Sequence, residues 1–296
     1  MATKFFLDSG DPKETKEVLT LLGKLDGQTT NPSLIAKNPD AVGKKFTSEE
    51  IYSFYENVVK QISSQIPNGS VSIEVYADNN TKAEAMIEQG LKFNTWIPNP
   101  STNRSDDYRL RYGARAHIKL PTTAEGLKAA SELVKQGVRV NMTLVFSQAQ
   151  AAAIYAATKG AKKGDVFVSP FVGRLDDRGE NGMDLIKNIL TMYKGGDGHV
   201  EVLSASIRSL EHFTKTIELG CDLITAPLKA YKEWVGFGSP LSMDGRGQGE
   251  GVQLKPIPYQ EISLDKPWQE YNIAHELTDK GVEKFAADWN NLIDQN

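Results

Sequence analysis

The sequence predicts an α/β fold, a closed (β/α)8 TIM barrel with a C-terminal helix extension. Eight short apolar segments recur along the 296 residues, and longer segments of helical period separate them. Strands that alternate with helices imply parallel pairing through right-handed crossovers, and eight such units are enough to close a barrel. A doubly wound open sheet is the alternative, but no GxGxxG motif follows the first strand.

The predicted strands follow in chain order. They are KFFLD (4–8), LDGQTT (25–30), VSIEVY (71–76), AHIKL (116–120), VRVNMTL (138–144), DVFVS (165–169), VEVLSAS (200–206) and DLITA (222–226). Amphipathic segments such as PKETKEVLTLLG predict the helices between them. Five glycines are expected to end helices in the left-handed conformation: Gly23, Gly90, Gly137, Gly160 and Gly220. Pro121 is expected to end the fourth strand and Thr123 to cap the next helix.

Two connections are longer than the minimal repeat requires. The first is 98–113, before the fourth strand, and the second is the Gly/Pro-rich segment 236–268 after the eighth. We expect one barrel domain over 1–296, with 236–296 packing on it as a loop and a terminal helix. The loop and helix are expected to fold over the rim of the barrel, the alternative being a disordered surface excursion.

Composition argues against several classes of protein. The net charge of -4 and the lack of Lys/Arg clusters do not favour a nucleic-acid partner. The one cysteine, Cys221, excludes an intrachain disulfide, and the four histidines show no metal-ligand spacing, so neither a metal nor a cofactor is expected. MATKFFLDSG lacks the apolar core of a secretory signal, and no apolar stretch approaches the ~20 residues of a membrane span. We therefore expect a cytoplasmic protein without a membrane partner.

Polar residues lie at or near the carboxyl end of nearly every predicted strand. They are Asp8, Thr29, Thr30, Asn31, Glu74, Lys119, Asn141, Thr143, Ser169, Ser206 and Arg208. A single polar strand end usually has a turn or capping role. Because a barrel has its active site at the carboxyl ends of the strands, so many of them together predict a site there.

Lys119 lies in an apolar run, AHIKLPTTAEG, in which an unpaired charge would be costly. One interpretation is a lysine whose stem packs while the amine reaches water. The other is an amine kept partly neutral by burial and nearby charges, so that it attacks a carbonyl. Carboxylates at Asp8 and Glu74 would then supply the proton transfers.

Five segments resemble the transaldolase family, in the same order and at roughly the same spacing. DGQTTNPSL (26–34) resembles the TTNPSL signature, and HIKLPTTAEGL (117–127) resembles the segment around the Schiff-base lysine of the family. The others are VNMTLVFSQAQA (140–151), VSPFVGRLDD (168–177) and SASIRS (204–209). The terminal KFAADWNNLI resembles the closing helix of the family more weakly.

The resemblance implies a role for each matched residue. Lys119 would form a Schiff base with a ketose phosphate, and Asp8 would act as acid and base on the C4 hydroxyl. Glu74 and Thr143 would hold and activate a water. Together with the polar rim, the resemblance predicts substrate contacts from Thr29, Asn31, Asn141, Ser169, Phe171, Arg174, Ser206 and Arg208. Of these, the two arginines and Ser206 would bind phosphate, which suits guanidinium forks.

The implied function is transfer of a dihydroxyacetone unit from sedoheptulose 7-phosphate or fructose 6-phosphate to an aldose phosphate, in the pentose phosphate pathway. Fructose-6-phosphate aldolases, which release dihydroxyacetone, are the alternative; they usually have glutamine at the position of Glu74 and tyrosine at that of Phe171. A non-catalytic sugar-phosphate-binding barrel is the remote alternative. Sugar phosphates are the expected partners, and a homo-oligomer is compatible with the resemblance.

Overall fold

The computed structural model describes residues 2–97, 115–239 and 253–294. Eight parallel strands form a closed barrel in sequence order, with the last paired to the first. They are β1 Lys4–Asp8, β2 Gly27–Thr29, β3 Ser70–Glu74, β4 Ala116–Pro121, β5 Val140–Val145, β6 Val166–Pro170, β7 Val200–Ser204 and β8 Leu223–Ala226. The predicted fold class is confirmed, and every predicted strand matches an observed one to within two residues at each end.

Helices connect the strands and form the outer layer. They are α1 Pro12–Leu22, α2 Pro32–Ala36, α3 Ser48–Gln65, α4 Ala83–Asn94, α5 Ala124–Lys135, α6 Gln148–Ala157, α7 Val172–Asp176, α8 Gly182–Tyr193, α9 Leu210–Glu218, α10 Leu228–Gly236 and α11 Glu276–Asn290. Thr123 caps α5 as predicted, since its hydroxyl accepts a hydrogen bond from the Gly126 backbone N–H at 3.0 Å. Within the described ranges, none of the helices combines the length and apolarity needed to cross a membrane.

Four of the five predicted helix-ending glycines have left-handed backbones. They are Gly23, Gly137, Gly160 and Gly220. The prediction is wrong for Gly90, which lies inside α4. A Cβ at Gly90 would come within 3.0 Å of Leu133 and 3.1 Å of Ile118. The glycine therefore allows α4 to pack closely against α5 and β4, and it does not end the helix.

An aromatic layer fills the middle of the barrel, two residues below the polar strand ends. The Phe6 and Phe167 rings meet edge to face at 5.8 Å, and His117 stacks on Phe167 at 3.9 Å. His117 Nε2 donates to the Gly164 carbonyl at 2.9 Å, so Nδ1 accepts from Ser70 Oγ at 2.5 Å. Burial lowers the pKa of His117 to about 3. The polar carboxyl end of the barrel therefore lies directly above a layer of uncharged rings.

Residues 253–268 follow the outer wall of the barrel. Gln148 of α6 exchanges hydrogen bonds with the Gln260 backbone at 2.8 and 3.1 Å, and Asn188 of α8 donates to the Ile257 carbonyl at 2.9 Å. The described part of the long loop, 253–268, thus lies against α6 and α8 rather than over the rim. The predicted connection 98–113 and residues 240–252 of the second loop lie outside the described residues.

The terminal helix α11 lies across the carboxyl ends of the strands. Thr278 donates to the Leu144 carbonyl of β5 at 2.9 Å and accepts from Gln150 at 2.8 Å. A Cβ at Gly281 would lie 2.5 Å from Leu144 and 2.9 Å from the Arg174 guanidinium. The helix backbone therefore packs directly against the end of the barrel where polar residues converge.

Candidate active site

Lys119 and Glu74 form an ion pair inside the carboxyl end of the barrel. They are paired residues on β4 and β3, and paired residues on neighbouring strands point to the same side of a sheet. Lys119 Nζ lies 3.0 Å from Glu74 Oε2, and both side chains are only 4% exposed. Among the described residues, no donor is aligned for a regular hydrogen bond to this Oε2, so the contact is mainly electrostatic.

Asp8 lies beside this pair at the end of β1, where it is partly exposed to the cleft. Thr29 donates to Asp8 Oδ1 at 2.7 Å and accepts from Thr225 at 2.6 Å. Burial raises the pKa of both Asp8 and Glu74, and the positive charge of Lys119 only partly opposes the rise. Carboxyls with raised pKa values exchange protons closer to neutral pH, so either group is suited to acid and base chemistry.

Asn141 is held by two buried serines. Ser169 Oγ donates to Asn141 Oδ1 at 2.6 Å, and Asn141 Nδ2 donates to Ser72 Oγ at 3.0 Å. Asn141 is also the β5 partner of Lys119. Glu74, Lys119 and Asn141 therefore form one row across three strands, and Ser72 fixes the amide from below.

Thr143 lies two residues beyond Asn141 on β5 and is fully buried. Its hydroxyl has no hydrogen-bond partner among the described residues. An unpaired buried polar group costs roughly 1–3 kcal/mol unless a water or a ligand meets it. The free hydroxyl of Thr143 and the poorly paired Glu74 Oε2 are thus two places where a water or a substrate could bind.

A cleft of about 320 Å³ opens above these groups. Its charged lining residues are Asp8, Lys37, Lys119, Arg174, Arg208 and Lys284. Cations thus outnumber carboxylates, and a concave surface lined by one sign of charge concentrates ligands of the opposite sign. The cleft is suited to a small phosphorylated molecule.

Arg174 is stacked between two aromatic rings at the mouth of the cleft. Its guanidinium carbon lies 5.0 Å from the Phe171 ring and 5.4 Å from the Phe285 ring. Burial lowers the pKa of Arg174, and no described carboxylate lies within ion-pair distance of it. Arg208 instead makes two hydrogen bonds to Asp177, at 2.8 and 3.3 Å. Of the two arginines, Arg208 is thus the one that a described carboxylate already pairs with.

A left-handed residue and a glycine bring the loops after β6 and β7 together. Ser206 has a φ of 60°, and its carbonyl accepts from the Gly173 backbone N–H at 3.1 Å. A Cβ at Gly173 would lie 2.3 Å from the Ser206 oxygen and 2.4 Å from Arg208 Cγ, so only glycine fits. This close approach places Ser206 and Arg208 in the same cleft wall as Arg174.

The structure brings the predicted site residues together at one end of the barrel. Those that line the cleft are Asp8, Thr29, Asn31, Lys119, Ser169, Phe171, Arg174, Ser206 and Arg208. Glu74, Asn141 and Thr143 are buried in the strands beside them. Asn31 has a structural contact as well, because its Oδ1 caps α2 by accepting from the Leu34 backbone N–H at 2.9 Å.

Lys37, Thr225, Lys284 and Phe285 are among the cleft residues that sequence reasoning missed. Thr225 is a polar residue at the end of the eighth strand, so the rule that found the others could have found it. Lys284 makes an ion pair with Asp288 at 2.9 Å, and Ser33 of α2 donates to the same carboxylate. Nothing in the local sequence distinguishes such a lysine from one on an exposed helix face.

The fold and the cleft define a (β/α)8 barrel whose site is built from strand ends, as in barrel enzymes generally. The chain belongs to the transaldolase/fructose-6-phosphate aldolase family, whose model matches residues 5–296. The predicted family is therefore confirmed.

Two relatives of similar length agree with this membership. A protein named probable transaldolase from Dehalococcoides mccartyi is 34% identical over 289 residues, covering 98% of this chain and 99% of its own. A probable transaldolase from Brucella ovis is 36% identical over 286 residues, covering 97% and 96%. Among solved structures, 3-hexulose-6-phosphate synthase from Salmonella typhimurium matches with a TM-score of 0.46 and 12% identity, covering 81% of this chain and 93% of that one.

Proposed function

We propose that this protein is a transaldolase, which moves a dihydroxyacetone unit from sedoheptulose 7-phosphate or fructose 6-phosphate to an aldose phosphate through a Schiff base on Lys119. The observation that supports this most directly is the buried Lys119 amine, 3.0 Å from Glu74 Oε2 and opening into a cation-rich cleft. An amine of this kind reacts with ketones, and the cations favour a phosphorylated one.

The first proposed step joins the donor to the enzyme. Glu74 accepts a proton from Lys119, whose neutral amine then attacks the C2 carbonyl of the ketose and forms a carbinolamine. The protonated Glu74 returns that proton to the C2 hydroxyl, water leaves, and an iminium ion remains. A water hydrogen-bonded to Thr143 would carry protons between Glu74 and the substrate, which accounts for the unpaired Thr143 hydroxyl.

Asp8 is the proposed acid and base of carbon–carbon cleavage. Its carboxylate takes the proton of the C4 hydroxyl, the C3–C4 bond breaks, and the bonding electrons move into the iminium to give an enamine. The leaving fragment is the corresponding aldose phosphate. Attack of the enamine C3 on an acceptor aldehyde reverses these events, with Asp8 protonating the new alkoxide, and water then releases the product ketose from Lys119.

The side walls of the cleft would bind the rest of the substrate. Arg174, Ser206 and Arg208 are proposed to hold the phosphate. Arg174 is the proposed main contact, because no carboxylate of the described residues lies within ion-pair distance of it, whereas Arg208 pairs with Asp177. Asn31 and Asn141 are proposed to bind donor hydroxyls. Two serines hold the Asn141 amide, so it meets the substrate in a fixed orientation.

Phe171 favours transfer over release of free dihydroxyacetone. Its ring lies 6.0 Å from Lys119 Nζ and lines the cleft, and it carries no hydroxyl that could protonate the enamine. The intermediate would therefore persist until an acceptor aldehyde arrives. We therefore propose a role in the pentose phosphate pathway and a cytoplasmic location.

A coupled assay of aldose phosphate release from fructose 6-phosphate tests the reaction. We expect steady turnover only when erythrose 4-phosphate is added, and the same rate after treatment with a chelator, since the proposed steps use only side chains and water. Steady release of dihydroxyacetone without an acceptor would instead indicate the aldolase alternative. Binding of the sugar phosphate without turnover under either condition would indicate the non-catalytic barrel.

A further inference from the structure

Tyr55 of α3 places a buried hydroxyl where β2 and β3 separate. The Thr30 backbone N–H donates to the Ser72 carbonyl at 3.0 Å, which is the last backbone contact between these two segments. The chain then turns away into α2 at Pro32. The next backbone donor of β3, the Glu74 N–H, donates to the Tyr55 hydroxyl at 3.1 Å. The Tyr55 hydroxyl therefore takes the place of the next backbone acceptor in the hydrogen-bond ladder between β2 and β3, at Glu74.

The hydrogen bonds of this hydroxyl have one arrangement. Thr30 Oγ1 donates to the Ser72 carbonyl at 2.8 Å, so it accepts from Tyr55 at 2.6 Å. The Tyr55 oxygen thus donates to Thr30 and accepts from Glu74. Burial raises the pKa of Tyr55 well above its usual value, which keeps the phenol neutral and able to donate.

The ring that carries the hydroxyl is enclosed by aromatic side chains. Tyr55 has no exposed surface, and its ring centre lies 5.5 Å from Trp96, 5.8 Å from Trp289 and 6.0 Å from Phe93. Trp289 belongs to α11, the helix that covers the cleft. Packing on every side leaves the phenol little freedom, so its oxygen is a fixed point for the Glu74 main chain.

We propose that Tyr55 is a positioning residue that sets the place of the Glu74 carboxyl relative to Lys119. It touches no reacting atom and acts through the Glu74 main chain. The inference rests on the proposed function only in so far as it gives Glu74 a part in the reaction; the placement of Glu74 is measurable without turnover.

The test compares two variants that each remove one tyrosine hydroxyl that donates a hydrogen bond. Tyr55→Phe removes the contact with Glu74, whereas Tyr193→Phe removes a hydrogen bond to the Ala151 carbonyl, 2.8 Å long, on the outer wall. Both should lower the melting temperature. Only Tyr55→Phe should lower kcat, by about 10-fold or more with KM little changed, because small misplacements of reacting groups can cost roughly 10²-fold. Tyr193→Phe should stay within about twofold of the wild type.

The ionisation of Glu74 gives a second readout that does not depend on activity. Burial is the largest cause that raises the pKa of Glu74, and it outweighs the opposing charge of Lys119. A looser Glu74 main chain admits water, so the pKa of Glu74 should fall toward its ordinary value in Tyr55→Phe and stay unchanged in Tyr193→Phe. Carbon-13 NMR of labelled glutamate carboxyls, with Glu74→Gln to assign the signal, measures it directly.

These readouts separate the positioning role from the proposed reaction. A Tyr55→Phe protein with wild-type kcat and an unshifted Glu74 titration would overturn the role of Tyr55. A shifted titration in a protein that never turns over sugar phosphates would support that role and refute the transaldolase proposal. If Tyr55→Phe does not fold, Thr30→Val serves as the second variant, because it removes the acceptor of the Tyr55 hydroxyl at nearly constant volume. Thr30→Val is expected to lower the pKa of Glu74 in the same way. An unchanged pKa of Glu74 would overturn the proposal.

Discussion

Replacing Lys119 by methionine is expected to destabilise the fold strongly, and more at alkaline than at acidic pH. Methionine keeps much of the side-chain length and removes the charge. Lys119 and Glu74 are both 4% exposed and 3.0 Å apart, so the variant leaves a buried carboxyl without its cation. Breaking a buried pair in this way costs about 3–5 kcal/mol.

The pH dependence follows from the direction of the pKa shifts. The pKa values of Asp8 and Glu74 are already raised in the folded protein, and loss of the positive charge of Lys119 raises them further. A group whose pKa is higher in the folded than in the unfolded state favours the fold below its unfolded pKa and ceases to do so as pH rises through its folded pKa. The destabilisation should therefore be small near pH 4, where the carboxyls are protonated, and full at pH 8.

Thermal unfolding followed by circular dichroism at the two pH values measures this. At roughly 2 °C per kcal/mol for a chain of this size, the melting temperature should fall by about 6–10 °C at pH 8 and by less than half of that near pH 4. Lys128→Met is the matched control, because Lys128 is 55% exposed and pairs with Glu125 at 2.8 Å on the surface. Its melting temperature should stay close to that of the wild type, because exposed ion pairs contribute little to stability. Equal effects of Lys119→Met at both pH values, or an effect as small as the control, would refute the buried pair.

Three further substitutions test separate parts of the site and its support. Phe171→Tyr adds a hydroxyl near the proposed enamine and should raise the release of free dihydroxyacetone several-fold relative to transfer. Phe285→Tyr, in the same cleft, should not, and equal partitioning in both variants would contradict the role of Phe171. Lys284→Met removes one cation of the cleft and should raise KM for erythrose 4-phosphate but not for erythrose, so equal changes for the two aldehydes would count against a phosphate contact. In Gly126→Ala the new methyl carbon would lie 1.9 Å from the Pro121 carbonyl oxygen, so calorimetry should show a loss of stability of about 1–3 kcal/mol or more. A variant as stable as the wild type would contradict the close contact between Gly126 and Pro121.

The fold could be predicted from the sequence because each βα unit carries its own signal. Apolar strands, amphipathic helices and left-handed glycines are local patterns, and chain order then determines the parallel pairing. Gly90 shows what the local sequence does not reveal. A glycine that ends a helix and a glycine inside a helix that admits a close neighbour look alike until Leu133 and Ile118 are placed beside it.

The core of the site was predictable for a related reason. The carboxyl ends of parallel barrel strands meet in space, so polar residues there are brought together by the topology alone. Lys284 and Phe285 were not predictable in this way, since they lie on the terminal helix α11 and not at a strand end. The same holds for Tyr55, whose hydroxyl reaches Glu74 from the outer helix layer.

Borohydride reduction in the presence of fructose 6-phosphate tests the central proposal most directly. Three lysines line the cleft, Lys37, Lys119 and Lys284, so peptide mass spectrometry can show which amine carries the reduced dihydroxyacetone fragment. We expect one adduct on the peptide that contains Lys119, absent in Lys119→Met and retained in Lys284→Met. An adduct on Lys37 or Lys284, or none at all in the active enzyme, would contradict a Schiff base at Lys119.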